Sequence, residues 1–305
     1  MNNNIFNKPI FYGADPFLLS HGGKYYLYCT TQTDEISNQA FTTTTGDTDG
    51  FMVWVSDDLV NWENKGYCLK KGENVIGEKW FWAPEVTYKD GRFYMVYTAE
   101  EHMAIAVSDS PLGPFYQTEQ KWLREGKSID GHILLDDDGN AYLYYVRLGG
   151  GNRIFVARLS GDLLNIDRDY DDCLIQAETE WETVDCKVAE GPFVLKHKGL
   201  YYLSYSCNHT RCKDYAVGYA VSDSPTGPFK RYENNPILYK GSELCGVGHH
   251  SFCMSTDGKT LLCAYHCHSS RPDSYKPRRF CLATAEFKEM PDEKDILVIN
   301  GPNGK

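Results

Sequence analysis

Hydrophobic and polar positions alternate along this chain in short runs that come in pairs, each pair split by a turn of Gly, Asp or Lys. The clearest pair is Phe193-Val194-Leu195 and Leu200-Tyr201-Tyr202-Leu203-Ser204-Tyr205, around Lys196-His197-Lys198-Gly199. Similar pairs flank Ser20-His21-Gly22-Gly23, Lys89-Asp90-Gly91, Asp136-Asp137-Asp138-Gly139 and Thr256-Asp257-Gly258. Alternation with period two, β-branched and aromatic enrichment, and Gly-containing turns predict five β-hairpins. Downstream of each comes a third apolar run: 52–55, 104–107, 154–157, 218–221 and 280–283. Several of these end in a Ser-Asp or Pro-Gly turn, as in Ser108-Asp109-Ser110-Pro111 and Ser222-Asp223-Ser224-Pro225. Pro is tolerated near a sheet edge and discourages edge pairing, so a short outer strand is expected after it. No amphipathic helix of three turns stands out. Two longer loops, 32–49 and the acidic stretch 162–187, are expected to rim a cleft or cover one face.

A strand-only repeat spaced by several tens of residues predicts a β-propeller. With five repeats in 305 residues, each blade receives about 61 residues, enough for four strands and their loops. The repeats run from Ala14 to Tyr265 without a linker-like tract, so the expectation is all-β: one five-bladed β-propeller domain over 1–305. In such a ring the first strand of every blade lines the axis. The residues read as opening those strands are Asp15, Glu85, Asp130, Glu190 and His249. Read as equivalent positions, they are expected to meet in one small volume.

Composition narrows the partners. A net charge of −11 and a pI near 5.3 argue against nucleic acid, since phosphate binding needs a basic patch. No apolar run is long enough to span a membrane. The first residues carry neither a basic segment nor a long apolar stretch, so no signal peptide is read and a reduced, cytoplasmic chain is expected. The eleven cysteines are an odd, scattered set, several of them within strand patterns. Cys263-Ala264-Tyr265-His266-Cys267-His268 invites a zinc reading, but alternate residues of a strand face opposite sides, which separates the two Cys from the two His. The 22 tyrosines suit sheets, and they also suit clefts where flat rings cover sugar faces.

Three carboxyls on separate blades, Asp15, Asp130 and Glu190, have the makings of glycosidic-bond hydrolysis. One acid must protonate the leaving oxygen and another must activate water or attack carbon. The two need different pKa values, and a third charge can separate them. The bland alternative is an axis of polar residues around ordered water.

The combination Ala14-Asp15-Pro16, Trp82-Ala83-Pro84-Glu85, Ile129-Asp130-Gly131, Ala189-Glu190-Gly191-Pro192 and Gly248-His249-His250-Ser251 resembles glycoside hydrolase family 43 over about 9–287. The resemblance implies an inverting glycosidase acting on plant cell-wall oligosaccharides rich in arabinose and xylose. It casts Asp15 as general base, Glu190 as general acid and Asp130 as the group that raises and orients the acid. It places His249 near the axis, where some members bind calcium or its water shell; a hydrogen-bonded core His is the alternative, because Ca²⁺ prefers several oxygen ligands. No other cofactor is implied. Substrate contacts are expected from Trp82, Glu85, His249 and a late Arg: Arg271, Arg278 or Arg279, with Arg271 taken as the candidate. Trp80 and Phe81 join Trp82 as a possible sugar platform, or pack between blades. No extra β-sandwich is read after the fifth blade, which tilts the expectation toward an α-L-arabinofuranosidase over a β-xylosidase. An endo-arabinanase, a non-catalytic sugar-binding propeller and a fructosidase are the rivals. Oligomeric state is not legible.

Overall fold

The computed structural model describes residues 5–30, 49–268, 278–291 and 294–303. Five antiparallel sheets follow one another in chain order. Blade I is β1 (Ala14–His21), β2 (Lys24–Thr30), β3 (Gly50–Ser56) and β4 (Glu63–Lys70). Blade II is β5 (Trp82–Lys89), β6 (Arg92–Ala99) and β7 (His102–Ser108). Blade III is β8 (Ser128–Leu135), β9 (Ala141–Arg147), β10 (Arg153–Leu159) and β11 (Ile166–Asp169), with β12 (Ile175–Gln176) also on β10. Blade IV is β13 (Ala189–His197), β14 (Leu200–Cys207), β15 (Ala216–Ser222) and β16 (Lys230–Arg231). Blade V is β17 (Gly248–Met254), β18 (Leu261–Cys267), β19 (Arg279–Lys288) and β20 (Ile296–Ile299). The first strands β1, β5, β8, β13 and β17 touch one another in sequence, and β17 returns to β1. The chain is a five-bladed β-propeller.

Local chemistry sets these hairpins. Asp90-Gly91 and Lys198-Gly199 each carry two positive φ angles, 50° and 86°, 47° and 79°. That is the two-residue turn whose twist matches the flanking strands. The acidic stretch 162–187 is less of a loop than expected. It contributes β11 and β12 to blade III and a 3-10 turn, Trp181–Thr183. The loop read at 32–49 falls outside the described residues, apart from Asp49.

The tyrosines largely fasten blades together. Tyr28 of blade I donates its hydroxyl to the Pro111 carbonyl after blade II (2.6 Å). Tyr144 of blade III reaches Pro225 after β15 of blade IV (2.7 Å), and Tyr202 of blade IV reaches Asp295 at blade V (2.7 Å). A buried Tyr hydroxyl needs such a partner. The prolines of the repeated turns are therefore acceptor sites as well as edge breakers. The N-terminal segment closes the ring. Asn7 and Ile10 donate backbone hydrogen bonds to Leu282 and Phe280 on β19, and Tyr265 donates to the Asn7 side chain (3.0 Å). Cys263 and Cys267 enter the core between blades while His266 turns to the axis, as strand alternation requires.

Candidate active site

Every axial strand breaks its ladder at the same place. Two residues oppose one: Asp15-Pro16, Ala83-Pro84, Asp130-Gly131, Gly191-Pro192 and His249-His250. The first residue of each bulge has positive φ: 48°, 43°, 57°, 55° and 45°. Four of these are not glycine, and left-handed backbone costs such residues about 1–2 kcal/mol. Bulges re-aim side chains. Here they turn the backbone over at the mouth of the axis.

This register corrects the expected equivalence. The matching positions are Asp15, Ala83, Asp130, Gly191 and His249. Glu190 stands one place earlier, opposite Ser206, at the position held by Trp82 in blade II. Glu85 stands two places later, level with His132. An inserted residue shifts every following side chain by one, and strand alternation alone cannot show it.

Each bulge N–H is held across the blade boundary. Ala83 N donates to Thr30 Oγ1 (2.6 Å), Asp130 N to Thr98 Oγ1 (3.2 Å) and His249 N to Ser206 Oγ (2.8 Å). Asp15 N donates to His266 Nδ1 (3.2 Å). The four acceptors occupy one structural position, the residue paired with the last regular residue before the bulge. In blade III that position is Val146, which has no acceptor. The Asp130 carboxylate takes over: Gly191 N donates to its Oδ2 at 3.1 Å. Asp130 is thereby pinned against the backbone that follows Glu190.

Asp15 is 7% exposed and surrounded by donors and cationic charge. Arg278 Nη1 lies 2.6 Å from Oδ1, and His249 Nδ1 lies 3.2 Å from the same oxygen. Burial alone would raise its pKa, but Arg278 first and then His249 hold it well below the ordinary carboxylate range. His266 is fully buried, and burial pushes its pKa down to about 3. Its neutral ring accepts the Asp15 N–H at Nδ1, which leaves the proton on Nε2, facing Thr210 Oγ1 at 3.4 Å. Arg278 also donates to Thr210 Oγ1 (3.1 Å).

Glu190 sits among different neighbours. Tyr215 OH donates to Oε1 (2.9 Å) and Asn152 Nδ2 to Oε2 (3.0 Å). Burial drives its pKa up to about 7; those two hydrogen bonds pull against the rise, and the Asp15 charge adds to it. Asp130, 6% exposed, is pushed well above the carboxylate range by burial first, then by Glu190 and Asp15. The Tyr215 ring lies parallel to His266 (5.5 Å between centroids, 7°), so the packing around acid and base is continuous. The Gly191 Cα faces the His249 ring closely enough that a Cβ there would come within 3.2 Å of it.

Deeper on the axis is a second polar layer. Glu85 Oε2 and His132 Nδ1 are 2.8 Å apart, and burial raises the Glu85 pKa while His132 pulls it down. His250 Nε2 meets Ser204 Oγ at 2.6 Å. The space between the layers measures about 10 Å³, the scale of one water. Calcium seeks six to eight oxygens. Here His249 spends Nδ1 on Asp15, the Arg278 cation stands beside that same carboxylate, and the described residues include no cluster of three or more metal-binding side chains. These donors suit a hydrogen-bonded His249 rather than a calcium ligand.

The remaining expected contacts divide. Trp82 is half-buried at the rim and stacks on Trp80 (5.9 Å, 13°), whereas Phe81 is in the core against Phe51 and Tyr97. Arg271 lies outside the described residues. Among the described residues, Arg278 is the late arginine that reaches Asp15. His266, Thr210, Tyr215 and Asn152 were missed in the sequence. None of them stands where the strand pattern marks an axial position, and only the ring closure brings them in.

Comparison with known proteins agrees with this fold. The sequence signature of "Glycosyl hydrolases family 43" matches residues 6–290. A solved structure titled endo-1,4-beta-xylanase, from Bacteroides thetaiotaomicron, is 38% identical, with a TM-score of 0.83 and 96% of each chain covered. A xylosidase/arabinosidase from Bacteroides ovatus is 28% identical over 82% of this chain and 89% of its own. A beta-D-galactofuranosidase from Aspergillus niger is 26% identical over 98% of this chain and 86% of its own. With the signature spanning nearly the whole propeller, the chain belongs to glycosyl hydrolase family 43.

Proposed function

We propose that this protein is an inverting glycosidase that releases terminal β-D-xylose or α-L-arabinofuranose from plant cell-wall oligosaccharides. The observation that carries the reading is the split between two axial acids: Asp15 held ionised beside Arg278, and the half-buried Glu190 held protonated up to about pH 7. General acid–base hydrolysis requires that pair of states. Asp15 takes a proton from water as the water oxygen bonds to the anomeric carbon. Glu190 gives its proton to the leaving oxygen as the glycosidic bond breaks. Solvent exchange then reprotonates Glu190 and empties Asp15. Asp130, fixed by Gly191 N–H, orients the segment bearing Glu190. Burial is the principal cause of the raised Glu190 pKa, with the Asp15 charge second. Trp82 at the rim offers a face for a sugar ring.

Relatives named for xylose and for arabinose support both sugars and remove the tilt toward arabinofuranosidase. The 38% identical structure titled as an endo-xylanase favours a second reading, internal cleavage of a xylan backbone. Aryl β-D-xyloside, aryl α-L-arabinofuranoside, linear arabinan and xylan, tested side by side, separate these. Exo action frees monosaccharide without an early fall in polymer viscosity; endo action gives the reverse. Proton NMR of the first product should show the inverted anomer, and initial retention would sink the water mechanism. Inactivity on all four substrates would remove this reading and leave a sugar-binding propeller or a glycosidase for another sugar.

A further inference from the structure

The proton on Glu190 must reach the leaving oxygen over hydrogen-bond distance, so the departing part of the substrate lies against Glu190. Beside that carboxylate runs an open groove of about 340 Å³, lined by Asn152, Arg153, Gln176, Glu178, Thr183 and Lys187 among others. Asn152 joins the two, because the same side chain lines the groove and donates to Glu190 Oε2. The backbone ties them further: Ala189 N donates to the Asn152 carbonyl at 3.0 Å, three residues of β-bridged chain from Lys187 to Glu190. The volume is within the range of about 300–1,000 Å³ usual for small-molecule sites.

Its charge is out of keeping with the rest of the molecule. The chain carries a net charge of −11, yet this groove presents two cations without carboxylate partners among the described residues. Arg153 makes no ion pair, and its Nε is buried without an acceptor. It leans on the Phe155 ring at 5.5 Å, which holds the guanidinium in place. Lys187 is exposed and has no ion pair. The groove's one carboxylate, Glu178, is turned to Arg231 (3.6 Å) and accepts from Gln176 Nε2 (2.5 Å). Glu190 itself is neutral below about pH 7.

Resting on the hydrolase reading above, we infer that the leaving-group side of the site binds an acidic sugar: an oligosaccharide carrying a uronic-acid carboxylate that Arg153 and Lys187 receive. Arg suits this task because its planar fork matches a carboxylate. The neutral sugar to be released stays on the Asp15 side.

The test uses a matched pair: a xylo-oligosaccharide bearing a glucuronic acid branch, and the same compound with the carboxyl reduced to an alcohol. Binding of each is measured by calorimetry to the full-length Asp15→Asn protein, so hydrolysis does not interfere. The free acid should bind about tenfold more tightly at low salt, the scale of one charge-assisted hydrogen bond, and the advantage should shrink in 0.5 M salt. Lys187→Gln, at an exposed position, should cut the ratio several-fold, and Arg153→Gln should abolish most of it. Neither should change turnover of an aryl xyloside by more than about twofold, since no aryl group reaches the two cations. Equal binding of acid and alcohol by the starting protein would overturn the proposal, and so would an acid preference that survives both substitutions. Loss of aryl glycoside turnover in the protein carrying Asp15 is a separate result: it would remove the hydrolase reading and leave the binding preference to be judged alone.

Discussion

Asp15 in blade I and Asp130 in blade III match in backbone and burial: φ 48° and 57°, 7% and 6% exposed, each first in its bulge. Their electrostatics run in opposite directions. Asp15 faces Arg278, His249 and His266 and is held well below the usual range. Asp130 faces Glu190 and Asp15 and is pushed well above it. The repeated fold therefore delivers a carboxyl to the axis, and residues from other blades decide whether it carries a proton. Arg278 arrives 263 positions along the chain from Asp15, next to the strand that the N-terminal segment closes upon. One ring closure thus both completes the propeller and ionises the base.

The most severe way to break this contrast is to neutralise the ionised member. Asp15→Asn should lower kcat by about 10²- to 10⁴-fold, the usual weight of a general base, with the fold intact by circular dichroism. Glu190→Gln should be as damaging on an oligosaccharide but far milder on a dinitrophenyl glycoside, whose leaving group needs no proton. Equal losses on both substrates would take the acid role from Glu190.

Next comes the source of the difference. Arg278→Met removes the cation 2.6 Å from Asp15 Oδ1. The Asp15 pKa should rise, so the acidic limb of kcat/KM should move to higher pH. The sign follows from the base role: Asp15 works only when deprotonated, and a higher pKa shortens the active window from below. The limb should move up by about one to two pH units, the pKa equivalent of one lost hydrogen bond to a charged group. An unmoved acidic limb would mean that Arg278 does not set the charge of Asp15.

Asp130→Asn probes the other member. A buried carboxyl kept protonated resembles an amide in shape and charge, and the Asn oxygen can still accept from Gly191 N–H. The loss in kcat should be about tenfold or less, with the basic limb near pH 7 in place. A basic limb displaced downward by more than a unit would show that Asp130 is ionised in the working enzyme and would collapse the contrast.

These side chains were unequally legible in the sequence. The hairpins, and the meeting of Asp15, Asp130 and Glu190 near one axis, followed from alternation, turn residues and repetition. Their order around the bulge did not. Ala83 and Gly191, with nothing polar to display, hold the places assigned to Glu85 and Glu190, and Glu85 belongs to the deeper layer with His132. A bulge is a backbone event with no composition of its own beyond a tolerance for Pro or Gly after it. His266 was hidden for another reason. Beside Cys263 and Cys267 it reads as part of a metal-like cluster, and only the face it takes on β18 makes it the acceptor for Asp15. Val146 is the most informative silent position. Its lack of an acceptor explains why Asp130, unlike Asp15, is bound to the blade that follows it.

The smallest expected effect sharpens the account of Glu190. Tyr215 OH is 2.9 Å from Oε1, and this bond favours the ionised acid, working against burial. Tyr215→Phe removes the hydroxyl and keeps the ring, and with it the stack on His266. The Glu190 pKa should therefore rise from about 7 by roughly half a unit, the pKa equivalent of a weak hydrogen bond. Because Glu190 acts as an acid, a higher pKa keeps it protonated longer, and the basic limb should extend to higher pH while the acidic limb stays where Asp15 and Arg278 set it. A purely structural role for Tyr215 would lower kcat across the whole range without moving either limb. A shift of the basic limb to lower pH would mean that Glu190 is protonated on Oε1 and donates to Tyr215, in which case the hydroxyl stabilises the acid form and the proton points away from the Asn152 side of the carboxyl.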